Sequence, residues 1–112
     1  MSNDPPAPFA VENSADGVVI ALRGEVRVDC VQGLHAALCA LASRAVRVRI
    51  DWSGAEHVDA CVLQTLLAFV RSRSEAGVPP EHCAAPRALQ DYLRLGGFAA
   101  GFPGALAATH SP

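Results

Sequence analysis

The stretch Val46–Val70, VRVRIDWSGAEHVDACVLQTLLAFV, decides how this chain folds. Val46, Val48, Ile50 and Trp52 alternate with Arg47, Arg49 and Asp51, the period-two pattern of a strand with one dry face and one wet face. The arginines are expected to face solvent and Trp52 the core. Residues 53–58 read as a short loop. Asp59 then stands where a helix N-cap is needed, and Leu63, Leu66, Leu67 and Val70 recur at helical spacing until Gly77, with Pro79 and Pro80 preventing continuation.

Upstream, alternation at Phe9 and Val11, the turn-forming Ala15-Asp16-Gly17 and the apolar run 18–22 predict a hairpin whose second strand is central. Arg23-Gly24-Glu25 interrupts the run. Asp29 followed by Gln32 has capping-box spacing, introducing Val31, Leu34, Leu38 and Leu41 on a helix expected over residues 30–43. Downstream, a weak strand falls near residues 81–84, and Pro86 suits the first turn of a third helix with Leu89, Tyr92, Leu93 and Leu95 inward, closed by Gly96-Gly97. The order strand, strand, helix, strand, helix, strand, helix implies right-handed crossovers and an α/β sandwich: a small mixed sheet of about four strands with helices packed on it. Residues 1–8 are expected to be a disordered N-terminal segment, 9–102 the domain, and 103–112 a flexible C-terminal tail.

Composition closes several functional classes. The chain has 112 residues, enough for one core. A formal net charge of -2, with basic residues scattered along the chain, argues against nucleic acid as a partner. All the basic residues are Arg, so P-loop lysine, Schiff-base and lysine-base chemistries are excluded. The start lacks a signal-peptide pattern and no apolar run is long enough for direct membrane insertion, so a cytoplasmic location is expected. There Cys30, Cys39, Cys61 and Cys83 are expected as reduced thiols with packing roles. Ser53-Gly54 lacks a nucleophile elbow, and nothing fixes His57 and Asp59 as base and orienter, so the chain is read as no enzyme. His35 and Cys39 stand four apart and His82 adjoins Cys83, but neither pair has Cys-x-x-Cys spacing, so no metal or other cofactor is expected.

In their order and spacing these segments resemble the STAS domains of sulphate transporters and anti-sigma factor antagonists, from about Gly17 to Phe102. The strand ending in Gly24-Glu25 is similar to the family's opening signature, residues 50–55 to its third strand, residues 58–67 to its Asp-Ser-Ser-Gly-Leu segment and helix, and residues 86–98 to its last helix. The resemblance implies a non-enzymatic, switchable protein-binding surface. In anti-sigma factor antagonists the Ser or Thr after the motif aspartate is phosphorylated, and that position here is Ala60, which has no hydroxyl to modify. Cys61 and Val62 replace the next Ser and Gly. Partner contact is therefore expected through Ser53, Gly54, His57, Asp59, Ala60, Cys61 and Val62, without the usual phosphorylation switch unless it has moved to Ser53 or Thr65.

The partner implied is a regulatory protein, an anti-sigma factor or a signalling histidine or serine kinase, in transcription regulation or, by the resemblance of residues 59–69, bacterial chemotaxis-type signal transduction. A weak homodimer is compatible with this. Two alternatives stand beside it. One is the small cytosolic STAS subunit of a phospholipid-transport ABC system. The other is a redox-sensitive binding module built on Cys61, whose place near a helix start favours a thiolate.

Overall fold

The computed structural model describes residues 7–102 together with 105 and 106. The expected N-terminal segment and tail therefore lie outside the described residues except for Ala7, Pro8, Ala105 and Leu106. Four strands form one sheet in the order β1-β2-β3-β4: β1 (Phe9–Ser14), β2 (Gly17–Val26), β3 (Val48–Val58) and β4 (Glu81–Cys83). β1 runs antiparallel to β2, while β2, β3 and β4 are mutually parallel. The helices α1 (Val31–Ala42) and α2 (Ala60–Glu75) make the crossovers from β2 to β3 and from β3 to β4, and α3 (Arg87–Leu95) follows β4. This is the mixed α/β sandwich that the alternating pattern predicts.

Alternation works as read at the start of β3. Val48, Ile50 and Trp52 are buried with Val18, Ile20 and Leu22 of β2 and with Leu34, Leu38, Leu63, Leu66, Leu89 and Leu93 of the helices in one core. The opposite face is wet, and there Arg47 and Arg49 both bond Glu81. At the hairpin, Gly17 takes a φ of 139° and approaches the Arg47 carbonyl so closely that a Cβ would lie 2.3 Å from its oxygen. No other residue type fits there.

Two sequence expectations about β2 and β3 are corrected. Arg23-Gly24-Glu25 does not end β2, and residues 53–58 are not a loop, because β3 stays paired with β2 through Val58. The register steps from Ala21↔Asp51 to Arg23↔Gly54, and again from Gly24↔Ala55 to Glu25↔His57. Each step places one extra residue on β3, a pair of bulges that spaces buried Trp52, Ala55 and Val58 by three instead of two. A strand with that spacing loses its period and imitates a loop. β3 also begins at Val48 rather than Val46.

The helices bring further corrections. α1 follows a short 3-10 turn, Val28–Cys30, so Cys30 occupies its N-cap and no side-chain capping bond forms, contrary to the Asp29/Gln32 reading. In α3, Pro86 is the N-cap rather than a first-turn residue, Leu95 is 89% exposed, and Gln90 is buried in its place, donating to the Ala85 carbonyl at 2.7 Å. Leu67 and Val70 of α2 lie at the core's margin, whereas Phe69 is inside.

Arg73, near the end of α2, is the largest departure from polar-out patterning. It is 1% exposed and donates to the carbonyls of Leu41 (3.2 Å), Arg44 (2.8 Å) and Val46. Its Nε has no hydrogen-bond partner among the described residues. The guanidinium thus closes the C-terminal end of α1, where free carbonyls and the negative end of the helix dipole favour a cation. Removing it strands those buried carbonyls.

Two outcomes follow from this core. Arg73→Met is expected to cost roughly 2–4 kcal/mol in urea unfolding, and Arg73→Lys to recover only part of that because an ammonium lacks the planar fork. The Trp52 indole N–H donates to His82 Nδ1 at 3.0 Å, and burial holds the His82 pKa below its ordinary 6.5. The unfolded chain therefore takes up the proton first, so stability is full above pH 6.5 and falls as the pH drops below it. His82→Gln should flatten that acid limb in unfolding midpoints measured across the same window.

Candidate functional site

The two bulges carry β3 to the edge of the sheet where β2 ends, and the Asp59 N–H there donates to the Val26 carbonyl at 2.9 Å. α2 starts at the next residue. The chain leaving β2 turns over the same point, with Val28 in the 3-10 turn ahead of α1. Two connections therefore meet at the first turn of α2.

Asp59 holds them together. Its backbone is extended, as an N-cap requires, and its carbonyl accepts from the Leu63 N–H at 3.0 Å. The side chain departs from the capping reading, since it makes no bond to α2. One carboxylate oxygen accepts from the Val28 N–H at 2.9 Å, and the other accepts from His57 Nε2 at 2.8 Å. The first turn of α2 consequently has no side-chain cap among the described residues. His57 in turn lies 5.4 Å, ring to ring, from Tyr92 of α3.

The predicted site residues separate by exposure. Ser53, Gly54 and Ala60 are exposed, and His57, Asp59 and Cys61 are half-buried. Val62 is 0% exposed and packs in the core, so its assignment to partner contact is corrected: as the third residue of α2 it points under the helix. Ser53 and Gly54 belong to the strand, and Ser53 is turned inward on itself, its hydroxyl and N–H both donating to Asp51. Thr65 bonds the Cys61 carbonyl one turn back. Neither alternative hydroxyl lies in the first turn of α2.

Three residues of this surface escaped the sequence reading. Val28 is 62% exposed, a large apolar side chain in the turn that Asp59 anchors. Cys30 is half-buried, its thiol pKa pushed up first by desolvation and next by the charge of Asp29, with Cys61 and Asp59 as further neighbours. Tyr92 flanks His57. The available signal was an apolar residue set between charged Arg27 and Asp29 just past a strand end. Among the described residues no group of three or more metal-ligating side chains is found, and no helix is long and apolar enough to cross a membrane.

Comparison with known proteins adds a family and a fold. The family model described as "Mlab, STAS domain" matches residues 9–106. No curated protein matches the chain. Among solved structures, the unphosphorylated anti-sigma factor antagonist SpoIIAA is 18% identical, with 79% of this chain and 83% of that one aligned at a TM-score of 0.65. An anti-sigma factor antagonist from Mycobacterium paratuberculosis is 22% identical over 85% of this chain and 81% of that one, at 0.67. The phosphorylated form of SpoIIAA, the Bacillus cell fate determinant, is 15% identical over 82% and 86%, at 0.65. At these identities the likeness is one of fold.

The Asp59 bridge has an acid signature. Its pKa lies below the ordinary 3.8, first through the His57 hydrogen bond and then through the Val28 N–H. Stability from a depressed carboxylate is complete above 3.8 and disappears as pH falls below it. Asp59→Asn should therefore lower stability at neutral pH and remove part of the acid-induced loss, read as chemical-denaturation midpoints along a pH series.

Proposed function

Because this chain belongs to the STAS domain family, we propose that it is a non-enzymatic regulatory module that binds another protein through the first turn of α2 and the turn before α1. The observation that carries the reading is the pairing of exposed Ala60 with exposed Val28, on either side of an aspartate whose carboxylate is turned away from the helix. The contact offered is a small apolar surface edged by free helix N–H groups, with His57, Asp59 and half-buried Cys61 beside it. Apolar side chains on a partner fill such a surface, and a partner carboxylate or carbonyl finds donors at its rim.

We read the partner as an anti-sigma factor or a signalling kinase of a cytoplasmic regulatory pathway, by likeness to structures described as anti-sigma factor antagonists. One of those is described in unphosphorylated and phosphorylated forms. Ala60 gives this chain no hydroxyl in the first exposed position of α2, so binding here is not switched by a phosphate at that residue. The module acts as a constant ligand, and regulation rests with the partner.

The test is affinity capture of the native partner, followed by binding measurements with variants. Ala60→Glu is expected to weaken binding at least tenfold, about 1.4 kcal/mol, while leaving thermal stability nearly unchanged, because a helix N-terminus accepts a carboxylate at a gain of about 0.3–1 kcal/mol. Val28→Asp should weaken binding similarly. Unchanged affinity in both variants would rule out this surface, and capture of transport-ATPase subunits instead would favour the reading as a structural subunit.

A further inference from the structure

Two half-buried cysteines, Cys30 and Cys61, stand where the starts of α1 and α2 come together. Cys30 closes the 3-10 turn and is the N-cap of α1, and Cys61 is the second residue of α2. Both side chains pack against the same core, and the 3-10 turn lies against α2. The Asp59 carboxylate accepts from the Val28 N–H at 2.9 Å, which ties the residue two before Cys61 to the residue two before Cys30.

The helix pair gives the same placement. Each helix connects two parallel strands, so α1 and α2 run in the same direction. The groove between them is bordered by His35, Leu38 and Ala42 of α1 and by Thr65, Phe69 and Ser72 of α2. Cys61 lies one turn before Thr65 on the same helix face, and its carbonyl accepts from the Thr65 hydroxyl at 2.9 Å. One turn before His35 is Val31, next to Cys30. Helices whose axes pack about 8–10 Å apart, with Cα atoms about 2.3 Å from each axis, bring facing residues into the range of about 4.4–6.8 Å between Cα atoms that a disulfide spans. The two thiols also sense each other: Cys30 is held above its ordinary 9.0 first by desolvation and next by Asp29, with the charge of Cys61 adding to these.

We propose that Cys30 and Cys61 form a dithiol that closes an intramolecular disulfide by exchange with a small external disulfide of the glutathione class. The Cys61 thiolate, its proton released to solvent, attacks one sulfur of the oxidant, whose S–S bond breaks as one glutathione thiolate leaves. Cys30, whose thiol ionises late, acts second. Its thiolate attacks the Cys61 sulfur of the mixed disulfide, the second glutathione thiolate leaves, and the two leaving groups take up the two protons. Two protein thiols are oxidised, and one external disulfide is reduced to two thiols. The new bond pins the turn that carries Val28 to the first turn of α2, and its consequence for partner contact rests on the surface proposed above.

The experiment uses the full chain at low concentration, equilibrated with mixtures of oxidised and reduced glutathione, quenched with acid, alkylated, and mapped by mass spectrometry after proteolysis without reductant. A Cys30 peptide joined to a Cys61 peptide within a monomer is expected, whether or not exposed Cys39 carries glutathione, and dithiothreitol should separate the two. Cys30→Ser should abolish the joined peptide and trap Cys61 as its glutathione adduct. Cys61→Ser should abolish it with at least tenfold less adduct on Cys30. Far-UV circular dichroism checks that both variants are folded. Absence of the joined peptide at every glutathione ratio in the folded wild-type chain, joining of either cysteine to Cys39 or Cys83 in its stead, or joining only between two chains would overturn the pair. The readout needs no partner, so its failure is distinct from a failure of the binding surface.

Discussion

The parallel pairing of β2 with β3, maintained across two extra residues on β3, is the constraint from which the rest of this molecule follows. A regular ladder would have needed strands of equal length. Here β3 spends more residues than β2 over the same span, bends at each bulge, and still delivers Ala55 and Val58 to the core with no exposure. The consequence is positional. β3 ends beside Val26, so α2 starts against the turn that leads out of β2. Without that coincidence, Val28 and Ala60 would not belong to one surface.

Arg73 plays the corresponding role at the opposite end of α2. A buried cation without partners costs several kcal/mol, but one that meets several carbonyls at a helix C-terminus is largely compensated. Its bonds to Leu41, Arg44 and Val46 tie the end of α1 and the approach to β3 to the last turns of α2. The helix is thereby held at both ends, by Asp59 through the chain that precedes α1 and by Arg73 through the chain that follows it. Between them Leu63, Leu66 and Phe69 supply the apolar burial.

This construction braces the start of α2. Asp59 contributes most as a brace, since its carboxylate links two connections rather than capping its own helix. The helix start is left without a side-chain cap among the described residues and with Ala60 exposed. A hydroxyl at the same point would leave the fold unchanged, as would a phosphate near free N–H groups. On the surface we propose for partner binding, the difference between a switchable and a constant contact rests on one side chain.

The legibility of the chain divides along physical lines. Period-two alternation at Val48, Ile50 and Trp52, helical spacing at Leu34, Leu38 and Leu41, and the glycines at the turns were enough to determine the element order, the sheet class and most of the core. Each of these is a local property, one side chain repeating the preference of its neighbours. The tertiary structure alone decided where β3 ends, because bulges erase periodicity and exist only relative to the partner strand. It alone decided the places of Asp59 and Arg73, because their acceptors and donors are 31 and 27 to 32 residues away in sequence. It alone brought Val28 beside the α2 start and buried Val62, since exposure depends on which surfaces meet when distant segments pack.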